Sequence, residues 1–251
     1  MNTEVFSSAI RALKINKART VLTMLGVIIG VFAVIALVAV VKGVENNITG
    51  QFDKLGSNLL LIAPGRTKMN QDPAISYTNN KFVYDHVELI RKYASDYIAG
   101  VVPNIRANAT AKYKAKSIYA SLGGTTHDAL EIVNFKLKSG RFFNPMEENT
   151  GAKVVIIGPE VKNELFSDEN PLDKEITVEN KKFLVIGVLD AEGFGSDDRI
   201  IMPYTTIEDV MGITQLSGIS AKVKDNVDLD QAVKAVSIAL LEDLKPDDFT
   251  I

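Results

Sequence analysis

The longest apolar run in the chain, VLTMLGVIIGVFAVIALVAVV from Val21 to Val41, holds 21 residues without a charge. Wound as a helix at ~1.5 Å per residue, it covers roughly the 30 Å hydrocarbon core of a bilayer. The pattern therefore predicts a transmembrane helix over residues 20–42. A secretory signal has an apolar stretch of about 7 to 15 residues ending in a small-x-small cleavage site. This run is longer and has no clean Ala-x-Ala near its end, so it reads as an uncleaved anchor. Inside it, Gly26 and Gly30 form a GxxxG pair, which clears side chains from one stripe and lets a second membrane helix approach closely.

Ahead of the span, Val5, Phe6, Ala9, Ile10 and Leu13 recur at helical spacing, with Ser7, Arg11 and Lys14 between them. Residues 1–19 read as a short amphipathic helix on the inner membrane face. A basic flank that only sets topology is the plainer alternative.

Beyond the span the pattern shortens. Asn58 to Ala63 (NLLLIA) reads as a buried strand closed by Pro64-Gly65, and the polar stretch to Asn80 as a loop. Phe82, Leu89, Ile90 and Tyr93 fall on one face of a predicted helix. Strands follow at 97–102, 109–116 and 117–122, and Gly123-Gly124 breaks the pattern. A second group has strands at 154–157, 175–178, 183–189 and 200–202 and a helix at 160–166. Its turns are marked by Asn170-Pro171 and Gly193-Phe194-Gly195. A strand near 219–223 then precedes a helix with Asp228 as N-cap and Gln231 at the capping-box position. The expected buried stripe of that helix is Leu229, Ala232, Val233, Val236, Leu240 and Leu244. Strands alternating with amphipathic helices indicate an α+β domain.

Charge adds orientation. Arg11, Lys14, Lys17 and Arg19 against Glu4 alone leave residues 1–41 at +3, and the rest of the chain at -6, within an overall net charge of -3. Four basic residues before the span against only Lys42 close after it predict a cytoplasmic N-terminus and an extracytoplasmic main domain. With 251 residues and no Cys, neither a disulfide framework nor a thiolate metal site is available, and the domain rests on its core.

Candidate chemistry is sparse. No GxxxxGK[ST] occurs, and the glycines at Gly123 and Gly193 do not open helices in a strand–loop–helix unit, so ATP hydrolysis by this chain is not expected. His86 and His127 are the two imidazoles, without HExxH or GxSxG. Each reads as a surface or helix-face residue. The pairs Glu147-Glu148, Asp197-Asp198 and Asp247-Asp248 lack calcium-loop spacing and read as solvated charge. No catalytic residue, cofactor or metal is expected.

The stretch from Arg19 to Gly65, RTVLTMLGVIIGVFAVIALVAVVKGVENNITGQFDKLGSNLLLIAPG, resembles the opening of the MacB/FtsX-like ABC transporter permeases. The resemblance is carried by the basic residue before LTMLG, the spaced glycines, the VIAL run, LGSNLL and the closing Pro-Gly. LKSGRF at 137–142, VVIIG at 154–158, FLVIGVL at 183–189 and IIMP at 200–203 continue it in the same order. The family usually has a Gly soon after the position of Pro171, where this chain has Asp173-Lys174. It also continues into three more transmembrane helices.

The resemblance implies a two-lobed extracytoplasmic domain of mixed sheets and helices: a membrane-proximal lobe from 43–123 plus 216–251, and an inserted lobe at 124–215. It implies a permease-type subunit, or an N-terminal fragment of one, in the cell (inner) membrane. A separate cytoplasmic ABC ATPase subunit would drive it. A homodimer or related permease, an extracytoplasmic adaptor or hydrolase, and membrane lipid are the expected partners, and nucleic acid is not. The alternative is a single-span binding module that recruits an extracytoplasmic partner without transport.

Overall fold

Local chemistry sets most of the element boundaries. In the computed structural model, which describes residues 17–55, 58–65, 80–191 and 197–251, the apolar run lies within one helix, α1 (Lys17–Leu55). Strand β1 (Leu59–Pro64) follows. The chain divides into two compact units, Met1–Lys54 and Leu55–Ile251. The expected amphipathic helix before Lys17, with Arg11 and Lys14, lies outside the described residues, as does the Gly193-Phe194-Gly195 turn.

The second unit is built around one long strand, β2 (Ile98–Tyr113). The residues read as two separate strands here form one, because Pro103 interrupts the apolar alternation without bending the chain out of the sheet. The first half of β2 pairs antiparallel with β9 (Gly218–Val223), which pairs with β1, which pairs with the short β10 (Phe249–Thr250). Its second half turns through Lys114-Ala115 into β3 (Lys116–Thr125). Gly123 and Gly124 therefore do not break the pattern: both lie inside β3, opposite Arg106 and Ile105.

From β3 the pairing runs to β8 (Arg199–Pro203), β5 (Val154–Ile157), β7 (Lys181–Leu189) and β6 (Glu175–Val178), and β6 pairs back onto the end of β2. Six strands thus close a ring, and β4 (Leu137–Gly140) adds to the outer edge of β7. Helix α5 (Pro159–Phe166), started by Pro159 at a position where a helix needs no N–H donor, packs against β2, β3, β7 and β8. It buries Val161, Leu165 and Phe166. Ala109, Ala111 and Ala120 are the small residues that leave room for it, and Tyr113 meets Phe166 at 4.2 Å between ring centroids. The four-residue strand VVII is buried on both faces: Val155 and Ile157 join the main core, while Val154 and Ile156 join a second cluster with Phe142, Phe143 and Ile201.

Against the β1–β9–β2 sheet pack α2 (Asp85–Tyr93) and α7 (Leu229–Leu240). The Asp228 carboxylate accepts from Gln231 N at 3.2 Å, as the N-cap predicts. Two stripe residues are misplaced by periodicity alone. Leu229 is exposed and Ala239 is buried instead; on α2, Tyr93 is exposed and His86, Val87 and Ile90 face the core. The short helices α3 (Ala129–Ile132), α4 (Pro145–Asn149) and α6 (Tyr204–Met211) complete the unit. This is an α+β fold with one apolar N-terminal helix.

Candidate functional site

In the first unit the candidate surface is the helix itself. Val21–Gly43 has a mean hydropathy of 3.1 and no part of that window is covered by protein. Leu22, Val27 and Phe32 are each more than 60% exposed. An apolar surface this long is stable only against hydrocarbon or other helices. A Cβ built on Gly26 or Gly30 meets nothing within 4 Å, so the glycine stripe is an open surface. Lys17 is exposed at the first turn; Arg19 lies in the same helix two residues on.

In the second unit the candidate chemistry is a circuit of contacts where α2 meets the ring. Arg91 on α2 donates to Glu88 Oε1 at 2.9 Å, to Val101 O at 2.9 Å and to the Tyr84 hydroxyl at 3.4 Å. Its other side faces Asp128 at 3.5 Å. Asp128 accepts from Thr126 in the turn that follows β3. In that turn His127 reaches Glu148 Oε2 twice, through its backbone N at 2.6 Å and Nδ1 at 2.7 Å. Thr205 at the head of α6 donates to Glu148 O. The neighbouring Tyr204 stacks on Tyr84, 4.7 Å between centroids and 8° between planes, which returns the circuit to Arg91.

Burial raises the Tyr204 hydroxyl pKa, with the nearby Tyr84 acting in the same direction. The reason is that a phenolate in this half-buried site would lose solvation.

Several readings from sequence change here. Glu147-Glu148 is not solvated charge. Glu148 is 7% exposed under His127, and Glu147 closes a capping box with Asn144 at 2.9 Å each way and binds Arg141 at 2.7 Å. Hydrogen bonding to Arg141 holds the Glu147 carboxyl below its ordinary range, helped by the Asn144 backbone. Asp248 is likewise engaged, with Lys81 at 2.9 Å and the Lys245 backbone N at 2.9 Å. The Asn-x-x-Glu spacing at 144–147 was a legible signal for the cap; nothing local announced the burial of Glu148.

His86 is a helix-face residue but a fully buried one. Its Nδ1 lies 3.0 Å from Val83 N and 3.2 Å from Val83 O, and its Nε2 lies 3.1 Å from Asp243 Oδ2. Among the described residues no group of three His, Asp or Glu converges for a metal.

The family description "MacB-like periplasmic core domain" matches residues 20–238. The chain belongs to that family. Among relatives of this MacB-like chain, the macrolide export ATP-binding/permease protein MacB of Neisseria meningitidis serogroup A is 31% identical over 239 residues, 93% of the chain and 36% of the relative. MacB of Wolinella succinogenes is 34% identical over 208 residues, 81% of the chain and 31% of the relative. The MacB-like chain thus spans about a third of the length of the curated relatives it matches. Among solved structures, the periplasmic region of MacB from Actinobacillus actinomycetemcomitans aligns with a TM-score of 0.70 at 24% identity, over 79% of this chain and 89% of that one. The extracellular domain of the ABC-type transporter YknZ from Gram-positive bacteria aligns at 0.63 and 17%, over 77% and 98%. Both show the fold.

Proposed function

We propose that this chain is the permease-type part, or an N-terminal piece of it, of an ABC export or mechanotransmission system. A separate cytoplasmic ATPase supplies the work, and α1 passes it to the folded domain. The observation that carries this reading is α1 itself. The helix runs on past the apolar window through residues 44–55, roughly 18 Å more at ~1.5 Å per residue, in a chain of the MacB-like family. A continuous helix transmits axial and rotational displacement where a loop would absorb it.

In this reading Arg11, Lys14, Lys17 and Arg19 keep the N-terminus cytoplasmic, and Gly26 and Gly30 pack against another span of a homodimer or related permease. The domain then lies outside the membrane, available to an adaptor or hydrolase. It works as two lobes, residues 43–123 with 216–251 next to the membrane and 124–215 inserted, joined where β3 pairs with β8 and β2 with β6. The Arg91–Asp128 and Tyr84–Tyr204 contacts would add to that joint and hold the two in one setting.

Because the chain has no Cys, one introduced pair can test the joint. In the assembled transporter with its ATPase, an Arg91→Cys/Asp128→Cys pair bridged by a short bis-methanethiosulfonate linker, which replaces the length of the lost side chains, should abolish ATP-driven export and leave nucleotide binding intact, with reduction restoring export. Export unchanged by the locked pair would overturn the role of the joint. A single cysteine at the exposed Tyr119 should react with a membrane-impermeant thiol reagent from outside, and one at Lys17 only after permeabilisation; the reverse pattern would refute the orientation.

A further inference from the structure

A cleft of about 90 Å³ opens on the outer face of the ring where β2 changes partner from β9 to β3. Strand alternation puts its lining on one face: Asn104 and Arg106 from β2, Ser121, Gly123 and Thr125 from β3, and Arg199 with Ile201 from β8, with Phe135 at the rim. The opposite faces of the same strands, Ile105, Leu122 and Ile200, are in the core, so the floor of the cleft is rigid.

Three observations converge on a ligand. Gly123 leaves the floor bare between its cross-strand neighbours Arg106 and Ile201. A Cβ there would take up that space in ordinary contact, 3.6 Å from Arg199 Cδ and 3.8 Å from Ile201 Cγ1. Arg106, exposed, makes no ion pair or side-chain hydrogen bond among the described residues, although its backbone N is held by Ser217 Oγ at 2.8 Å. Thr125, 5% exposed and lining the cleft, carries the one buried side-chain oxygen among the described residues without a hydrogen-bond partner. An unpaired buried hydroxyl is destabilising and is tolerated where something else satisfies it.

We propose that this cleft is a binding site for a carboxylate. The Arg106 guanidinium fork matches a planar carboxylate with two parallel N–H···O bonds, and the Ser121 and Thr125 hydroxyls supply further polar contacts. The volume is well below that of a site for a drug-sized ligand, roughly 300 Å³ or more, so the cleft takes the charged end of a molecule. Phe135 and Ile201 accept the carbon stem behind that end, which inorganic phosphate lacks. The ligand is a small organic acid or an acidic side chain presented by a peptide. Either would bridge β2, β3 and β8 at the point where the two sheets join. The inference stands apart from the transport reading, since it needs neither a membrane nor an ATPase.

The test is titration of the full chain in detergent, followed by calorimetry and by NMR of the arginine side chains, with succinate, with the blocked tripeptide N-acetyl-Gly-Glu-Gly-amide and with inorganic phosphate. Saturable binding of succinate and tripeptide alike supports a site that reads the carboxylate only. Binding of the tripeptide alone supports one that also reads a peptide backbone. Arg106→Gln and Gly123→Ala should each weaken binding at least tenfold. Gly123→Ala should melt as the wild type does, because its Cβ meets no atom closer than 3.6 Å. Phosphate binding tighter than either carboxylate, non-saturating shifts, or a Gly123→Ala chain that binds like wild type would overturn the proposal.

Discussion

Tyr84 and Tyr204 lie face to face, 4.7 Å apart with planes 8° from parallel. One residue precedes α2 and the other opens α6, 120 positions later in the chain. Their contact ties the helix layer of the β1–β9–β2 sheet to the closed ring.

The stack predicts an alkaline signature. The Tyr204 pKa is raised above its ordinary value near 10, mainly by burial, so folding favours the protonated phenol. That contribution is fully present below pH 10 and is lost as pH rises from there through the folded value. Ultraviolet titration at the phenolate band should show one of the seven tyrosines ionising late, and Tyr204→Phe should remove it while flattening the alkaline fall in stability. Tyr84→Ala should cost at least about 1 kcal/mol, through lost ring contact. A variant pair indistinguishable from wild type in both measurements would rule the stack out as a fastener.

The capping box of α4 predicts an acid signature. The Glu147 carboxyl is held below its ordinary 4.5 by Arg141 and by the Asn144 backbone, so its stabilisation is present above pH 4.5 and is lost as pH falls through the lower folded value. Glu147→Gln should therefore narrow the stability difference between pH 7 and pH 3. Asn144→Ala should cost about 1 kcal/mol at neutral pH. Urea melts at the two pH values check both; an equal loss for Glu147→Gln at pH 3 and pH 7 would contradict the assignment.

Asp173 sits at φ +61°, where an L side chain is strained, at the place where the resembled permeases usually carry a glycine. Asp173→Gly removes strain of about 1–2 kcal/mol and adds unfolded-state entropy worth roughly 0.5–1 kcal/mol. The net expectation is stabilisation of up to about 1 kcal/mol, read from the urea midpoint at unchanged slope. Destabilisation by the glycine would mean the Asp173 side chain matters more than its backbone.

Gly26→Leu and Gly30→Leu should each weaken association with other spans in lipid, because a leucine on that stripe pushes helix backbones apart. Thermal unfolding of the 55–251 unit should not change. Association untouched by both substitutions would mean that the stripe faces lipid.

Much of this was legible in the residues themselves because it depends on neighbours in sequence. The span follows from 21 uncharged apolar residues, strands 154–157 and 175–178 from short apolar runs between turns, and the start of α7 from Asp228. Hydrogen bonds across three or four residues and side-chain periodicity are local, so local sequence determines them.

Tertiary structure decided the rest. Pro103 marks an end of apolar alternation, yet β2 continues because β9 pairs with it on one side of that point and β3 on the other. Glu148 looks like half of a solvated acidic pair until His127, 21 residues away, donates to it twice. Leu229 keeps the period of α7 and still faces outward, because the apolar stripe is wider than the surface available to cover it. Ring closure through β6 onto β2, and the cleft with Gly123 at its floor, depend on which strands meet. Strand partners are chosen by the burial and register of the whole sheet, a long-range sum over many weak contacts that no short stretch of sequence encodes.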